Sequence, residues 1–274
     1  MHDDVLAEAT MSNPHLPAEM LDHVVDKLHD TEDALRNCSL VSKSWIPRAR
    51  KHLFADVGFE TAGDLQSWKK TFPDPSTSPR RYVKNLSVSF PQAFTAADAE
   101  AGDWIRGFSC VVHLEVGSPE IVPDRSFSLV LFHGFSPSIK SLGVTFAALP
   151  SPLVLNLILS FPLLEDLVAI SFYNPSSGNG DGSHWLPTTA QPSSSPMFTG
   201  SLELLLRGGK DSFARRLLSL PGGIHFRKLN VTWIQEKDPS LMTRLVEGCS
   251  HTLESLEVYY GFHGASILPL CPYR

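Results

Sequence analysis

The chain has 274 residues, 42% of them hydrophobic and 19% charged, with 23 Lys and Arg against 29 Asp and Glu for a net charge of −6. That length allows one large domain or two small ones with a packed core, and the weakly acidic balance argues against nucleic acid or an anionic membrane as partner. No run approaches the ~18 apolar residues of a membrane helix, and 21 prolines imply many short elements separated by turns.

The amino terminus, residues 1–14, has neither the basic nor the apolar segment of a secretion signal and reads as a flexible lead-in. Charge then divides sharply. Residues 1–35 hold nine acidic side chains against the single Lys27, whereas residues 36–84 hold ten basic against four acidic. The basic stretch lacks interleaved aromatics, so it reads as solvated helix faces rather than a nucleic-acid groove. Residues 16–54 form a candidate helical unit. Pro17 suits the first helical position, Glu19 favours the first turn, and Leu21, Val24, Val25 and Leu28 follow at helical spacing. Asp30 or Thr31 can cap a second helix with Leu35, Cys38, Leu40 and Val41 as its apolar side. Trp45 and Ile46 continue that pattern, and Pro47 must kink or restart the helix. So short a unit cannot bury all of these groups by itself, which leaves some to face a partner or the rest of the chain.

Beyond residue 80 the pattern apolar-x-x-Leu-x-apolar recurs. Its central leucines are Leu86, Leu114, Leu142, Leu167, Leu202, Leu229 and Leu256, at separations of 28, 28, 25, 35, 27 and 27. The long step contains residues 174–196, of which 18 in 23 are Gly, Ser, Pro, Asn, Asp or Thr, a composition that predicts a flexible inserted loop. Trp185 and Leu186 are its large apolar residues and read as a loop anchor. Between the leucines lie apolar runs of helical period, such as Leu153-Leu157-Ile158, Phe213-Leu217-Leu218 and Leu241-Leu245-Val246. A strand, turn, helix and return in each ~27-residue step describes an α/β leucine-rich-repeat-like solenoid with parallel strands over residues 57–274. The asparagine or cysteine that usually satisfies the turn after each strand is missing: Pro91, Pro119, Ala147, Phe172, Arg207, Ile234 and Gly261 stand there, so the solenoid should be irregular. An eighth strand after Leu256 would fall near position 283, which makes a truncated version of a longer protein a live reading.

Leu16-Pro17-x-Glu19-Met20-Leu21-x-x-Val24-x-x-x-Leu28, then Leu35-x-x-Cys38-Ser39-Leu40-Val41-Ser42-Lys43-Ser44-Trp45 and Arg50-x-x-Leu53-Phe54, resembles an F-box of the variant common in fungal proteins. The resemblance implies a small all-α module over residues 15–56 that docks on a Skp-type adaptor and, through it, on a cullin scaffold. The repeats would then hold a protein to be ubiquitylated. Carried over by position, the adaptor-facing set is Leu16, Pro17, Leu21, Val24, Leu28, Leu35, Leu40, Val41 and Trp45. Some of these must instead form the module's own core, and the sequence does not separate the two roles.

Catalytic signatures are absent: there is no GxSxG, HExxH, Walker loop or GxGxxG, and His133-Gly134 and His263-Gly264 lack a nucleophile elbow beside them. Asp98 with Glu100, and Glu236 with Asp238, read as helix-start charges. The four cysteines form no CxxC pair or zinc spacing and read as reduced thiols. The chain is therefore expected to be a non-enzyme without cofactor or metal, acting in the cytoplasm, the nucleus or both. The competing reading keeps the repeats as a scaffold or regulator without a ligase role. With a period of two, the outward strand positions include Ser87, Ser89, Glu115, Thr145, Glu203, Asn230, Thr232, Glu257 and Tyr259. Of these, Glu203, Thr232, Glu257 and Tyr259 are the candidate target contacts, with Tyr259 the best anchor because aromatics dominate hot spots.

Overall fold

A computed structural model describes residues 17–89, 107–118, 135, 137–146, 151–171, 198–206, 212–220, 222–233 and 239–260. The chain separates into two compact units, Met1–Leu53 and Phe54–Arg274. The first unit has three helices, α1 (Ala18–Lys27), α2 (Glu32–Val41) and α3 (Ile46–Leu53). Pro17 stands just outside α1, and Thr31 precedes α2 without a side-chain cap hydrogen bond. Ser42 to Trp45 form a turn closed by Trp45 N donating to Ser42 O at 3.1 Å. Pro47 then falls in the first turn of α3, where its missing N–H leaves no bond unmade. Both α1 and α2 pack on α3. Val25, Leu35 and Ala49 form the buried centre, with Leu28, Trp45 and Leu53 packed around it.

The second unit is an α/β fold built on one eight-stranded sheet in which every neighbouring pair is parallel and the strand order is the chain order. The strands are β1 (Asp56–Phe59), β2 (Asn85–Ser89), β3 (His113–Ser118), β4 (Ser141–Phe146), β5 (Asp166–Ser171), β6 (Ser201–Leu206), β7 (Lys228–Trp233) and β8 (Ser255–Tyr260). Helices α4 (Ala62–Thr71), α5 (Ser151–Leu159), α6 (Ser212–Leu218) and α7 (Pro239–Gly248) lie between them in the chain, with a short 3-10 turn at Pro79–Tyr82. The seven leucines of the sequence repeat stand opposite one another in register, Leu86 to Leu114 to Leu142 to Leu167 to Leu202 to Leu229 to Leu256, and Val57 of β1 begins the row. Alternation of side chains puts this row from Leu86 to Leu229, and the next apolar row from Val88 to Val231, into one core with Leu157 and Ile158 of α5, Leu217 of α6 and Leu245 of α7.

The sheet therefore starts earlier than the sequence pattern places it. Asp56 belongs to β1, so the helical unit ends at Leu53 instead of residue 56, and a strand and helix precede the first leucine repeat. Around them, Trp68 meets Phe59, Phe72 and Phe108 with ring centroids 5.8, 4.8 and 5.8 Å away, while Phe54 packs edge-on at 5.9 Å. These rings close the core at its β1 end, and the edge-to-face pairs of Trp68 with Phe54 and Phe59 add to simple burial.

The turns leading into the strands share one backbone pattern, to which Ser138 Oγ donating to Val111 O and Thr252 Oγ1 donating to Phe226 O add side-chain bonds. The carbonyl of the residue before a strand accepts two N–H groups from the start of the next strand. Ala55 O takes Lys84 N and Asn85 N, Lys84 O takes Val112 N and His113 N, and Val112 O takes Lys140 N and Ser141 N. Lys140 O, Gly200 O and Arg227 O continue the series. The step from β5 to β6, which spans the polar loop of the sequence, departs from it. There the Asp166 carboxylate accepts both Ser201 N at 2.6 Å and Ser201 Oγ at 2.7 Å. Gly200 leaves room for that carboxylate, since a Cβ at 200 would come within 2.3 Å of Asp166 Oδ1. The turn positions from Pro91 to Gly261, the loop 174–196, and residues 1–14 lie outside the described residues.

Candidate functional site

Two surfaces carry features that folding alone does not require, one on each unit. On the first unit, α1 buries Val25 but turns Pro17, Met20 and Val24 outward at spacings of three and four, which is one helical stripe. Met20 and Val24 are about half exposed. At the end of α2, Leu40 is 83% and Val41 71% exposed. Large aliphatic groups this open make the stripe and the end of α2 the candidate interaction surface of this unit.

The nine residues carried over from the F-box resemblance separate clearly. Leu35 is 1% exposed and belongs to the core, which corrects its place among the partner contacts. Leu28 and Trp45 pack against that core and are also structural. Leu21 is half-buried, whereas Pro17, Val24, Leu40 and Val41 are open. Leu16 lies outside the described residues. Met20, three residues after Pro17 and four before Val24, is open on the same stripe although the carried-over set does not include it.

An ionic clasp ties α1 to α3 within the same unit. Asp26 accepts hydrogen bonds from the Arg48 guanidinium, one through Nε at 2.6 Å, and from His52 Nε2 at 2.7 Å. Those bonds, Arg48 first and His52 second, hold the Asp26 carboxyl far below the usual carboxylate range, and the same pairing raises the Arg48 guanidinium. The clasp orders the helices and leaves no open site around its charges.

On the second unit the candidate surface is the outward face of the sheet. A depression of about 470 Å³ lies over β1 to β5, lined among others by Gly58, Ser87, His113, Glu115, Gly143 and Val168. Its floor is low because glycine occupies outward positions: a Cβ at Gly58 would meet nothing within 4 Å, and one at Gly143 would meet the Glu115 side chain at 3.3 Å. Val168 and Ile170 of β5 stand half-buried on this face, and Leu205 of β6, opposite Ile170, extends the apolar patch, whereas the outward positions of β1 to β4 carry small or polar groups. Of the predicted target contacts, Glu203, Glu257 and Tyr259 are exposed and Thr232 is half-buried. Tyr259 donates to Glu257 Oε2 at 3.1 Å, and that carboxylate raises the phenol above its ordinary value. Thr232, Glu257 and Tyr259 lie on β7 and β8, away from the depression, whereas Glu203 on β6 stands opposite Val168 at its edge. Sequence reasoning missed Gly58, Gly143, Val168 and Ile170, and the continuous apolar run Leu167-Val168-Ala169-Ile170 was the available signal.

Among the described residues no group of three or more His, Cys, Asp or Glu side chains is placed to hold a metal ion, and Cys38, Cys110 and Cys249 are free thiols. No described helix is long and apolar enough to cross a membrane. His133, His263, Asp98, Glu100, Glu236 and Asp238 lie outside the described residues. No protein-family model matches this chain, and no curated protein matches it at a significant level.

Proposed function

We propose that the protein is the substrate-recognition subunit of a cullin-type ubiquitin ligase. Its first unit acts as an F-box on a Skp-type adaptor, and its second acts as a leucine-rich-repeat-like platform for the protein to be modified. The observation that carries this reading is the exposure of Leu40 and Val41 within the Leu-Val-Ser-Lys-Ser-Trp segment that resembles the F-box signature. Burying a leucine and a valine of this kind in a partner groove contributes roughly 1.5–3 kcal/mol each, and the Met20–Val24 stripe supplies a second apolar contact. Ubiquitin transfer belongs to the partners in such an assembly, so the chain acts by binding alone.

Co-expression with a Skp-type adaptor followed by size-exclusion chromatography tests the reading. Wild type should elute with the adaptor, and the Leu40→Ala, Val41→Ala double variant should elute without it. Both side chains are solvent-facing, so the variant keeps the core of Val25, Leu35 and Ala49 and its helical signal. A folded wild type that never joins the adaptor would overturn the ligase role.

A further inference from the structure

We propose that the outward row Glu115, Gly143, Val168 and Glu203 is a docking track for an extended segment of a partner protein. The segment would carry lysine or arginine at positions i and i+4 and a small aliphatic residue at i+2. The proposal rests on the reading that the second unit holds a protein, and it names the chemistry of what is held.

The four residues are in direct register on consecutive strands, Glu115 opposite Gly143, Gly143 opposite Val168, and Val168 opposite Glu203. Strands lie about 4.8 Å apart, so the two carboxylates sit on backbone positions about 14 Å from each other. An extended chain rises ~3.3–3.4 Å per residue and returns to the same face every second residue. Positions i and i+4 therefore span about 13–14 Å on one face, matching the two glutamates, and position i+2 falls midway, between Gly143 and Val168. Gly143 adds no side chain of its own beside Glu115, whose Cγ lies 3.3 Å from where a Cβ at 143 would stand, and Val168 with Ile170 offers the middle side chain an apolar wall.

Charge sets the sign of the partner. Glu115 and Glu203 are exposed, and neither has an ion pair or hydrogen bond among the described residues. Lys228, exposed on β7 opposite Ser201, is the outward lysine on the strand beside Glu203, and the lysines at the strand starts are engaged elsewhere. Lys140 Nζ is held by Glu165 at 2.7 Å, and Lys84 Nζ donates to Cys110 O at 3.3 Å, both at the edge where the strands begin. Asp56 and Asp166, also on this face, bond to Asn85 and Ser201, so that among the described carboxylates of β1 to β6 Glu115 and Glu203 are the ones without a partner there.

The test uses the full chain and fluorescein-labelled nine-residue peptides of serine with a central valine, read by fluorescence anisotropy. Two arginines flank the valine symmetrically at a spacing of two, four or six, and a fourth peptide has two glutamates at a spacing of four. The spacing-four arginine peptide should bind at least five-fold tighter than the other arginine peptides and over ten-fold tighter than the glutamate one. Its binding should weaken as salt rises, and both Glu115→Gln, Glu203→Gln and Gly143→Leu should lower it about ten-fold. Indifference to spacing, equal binding of the glutamate peptide, absence of binding by all four, or a chain dimer that Gly143→Leu dissociates would each overturn the proposal. Adaptor capture, measured on the same variants, separates the two readings. Peptide binding without adaptor capture sinks the ligase role and leaves the track standing, whereas capture without spacing-dependent binding sinks only the track.

Discussion

Asp26 shows how one side chain can set the acid response of a unit. Its folded carboxyl titrates well below the ordinary ~3.9 of an unfolded aspartate. A depressed carboxyl contributes stability that is complete above the unfolded value and is lost as pH falls through it toward the folded one. The first unit should therefore loosen as pH drops below about 4, visible as faster amide exchange in peptides from α1 and α3. Asp26→Asn should be less stable than wild type at pH 7 and should show a shallower loss between pH 5 and 3. Equal acid slopes in the two proteins would move the cause elsewhere. Residue by residue, this unit was half legible. The helical spacing identified its apolar set, but Leu35 and Leu40 stand on the same short helix with the same chemistry. Only the packing of α2 on α3 decides that one is core and the other open. The Asp26 clasp joins residues 22 and 26 positions apart in sequence, and no local pattern announces such a pair.

At the level of elements, the clearest local device is the start of α4. Thr61 accepts a hydrogen bond from Asp64 N at 3.3 Å while the Asp64 carboxylate accepts one from Thr61 N at 2.7 Å. Together they satisfy two N–H groups that the helix cannot, and those bonds depress the Asp64 carboxyl. Thr61→Ala should cost about 1 kcal/mol in denaturant unfolding of the second unit. Thr61→Ser, which keeps the hydroxyl, should recover most of that. An unchanged midpoint in Thr61→Ala would mean that α4 is held by Leu65 and Trp68 alone. The Thr-x-x-Asp spacing was present in the sequence, as was a strand 29 residues before Leu86 with Val57 and Phe59 at period two. The repeat does not mark that strand because valine replaces the leucine by which the repeat is recognised. The seven later strands were readable because each places a leucine at the same register position, which is buried from Leu86 to Leu229. What the leucines do not reveal is the outward face, where Gly143 and Val168 answer to the space they leave or fill and not to any periodicity.

The whole second unit is a sheet in which each strand pairs with its chain neighbours, so its stability should vary along the row with the cover each strand has on both sides. At the β1 end, Trp68 and the surrounding phenylalanines supply that cover. At the other end, Leu256 is 45% exposed although Leu142, Leu167 and Leu202 at the same register position are fully buried. Removing a fully buried leucine side chain leaves a cavity and costs about 2–5 kcal/mol, whereas removing one that already faces solvent costs much less. Leu142→Ala should therefore lower the unfolding midpoint strongly and Leu256→Ala by about 1 kcal/mol or less. Amides of β8 should exchange fastest among the eight strands, and those of β4 and β5 slowest. If Leu256→Ala proves as damaging as Leu142→Ala and β8 exchanges slowly, then its apolar side is covered in solution. In that case adding the adaptor or a bound target should leave β8 exchange unchanged, while a partner that docks on β8 would slow it further. The gradient of exchange along the sheet thus separates an open end from one that a partner completes.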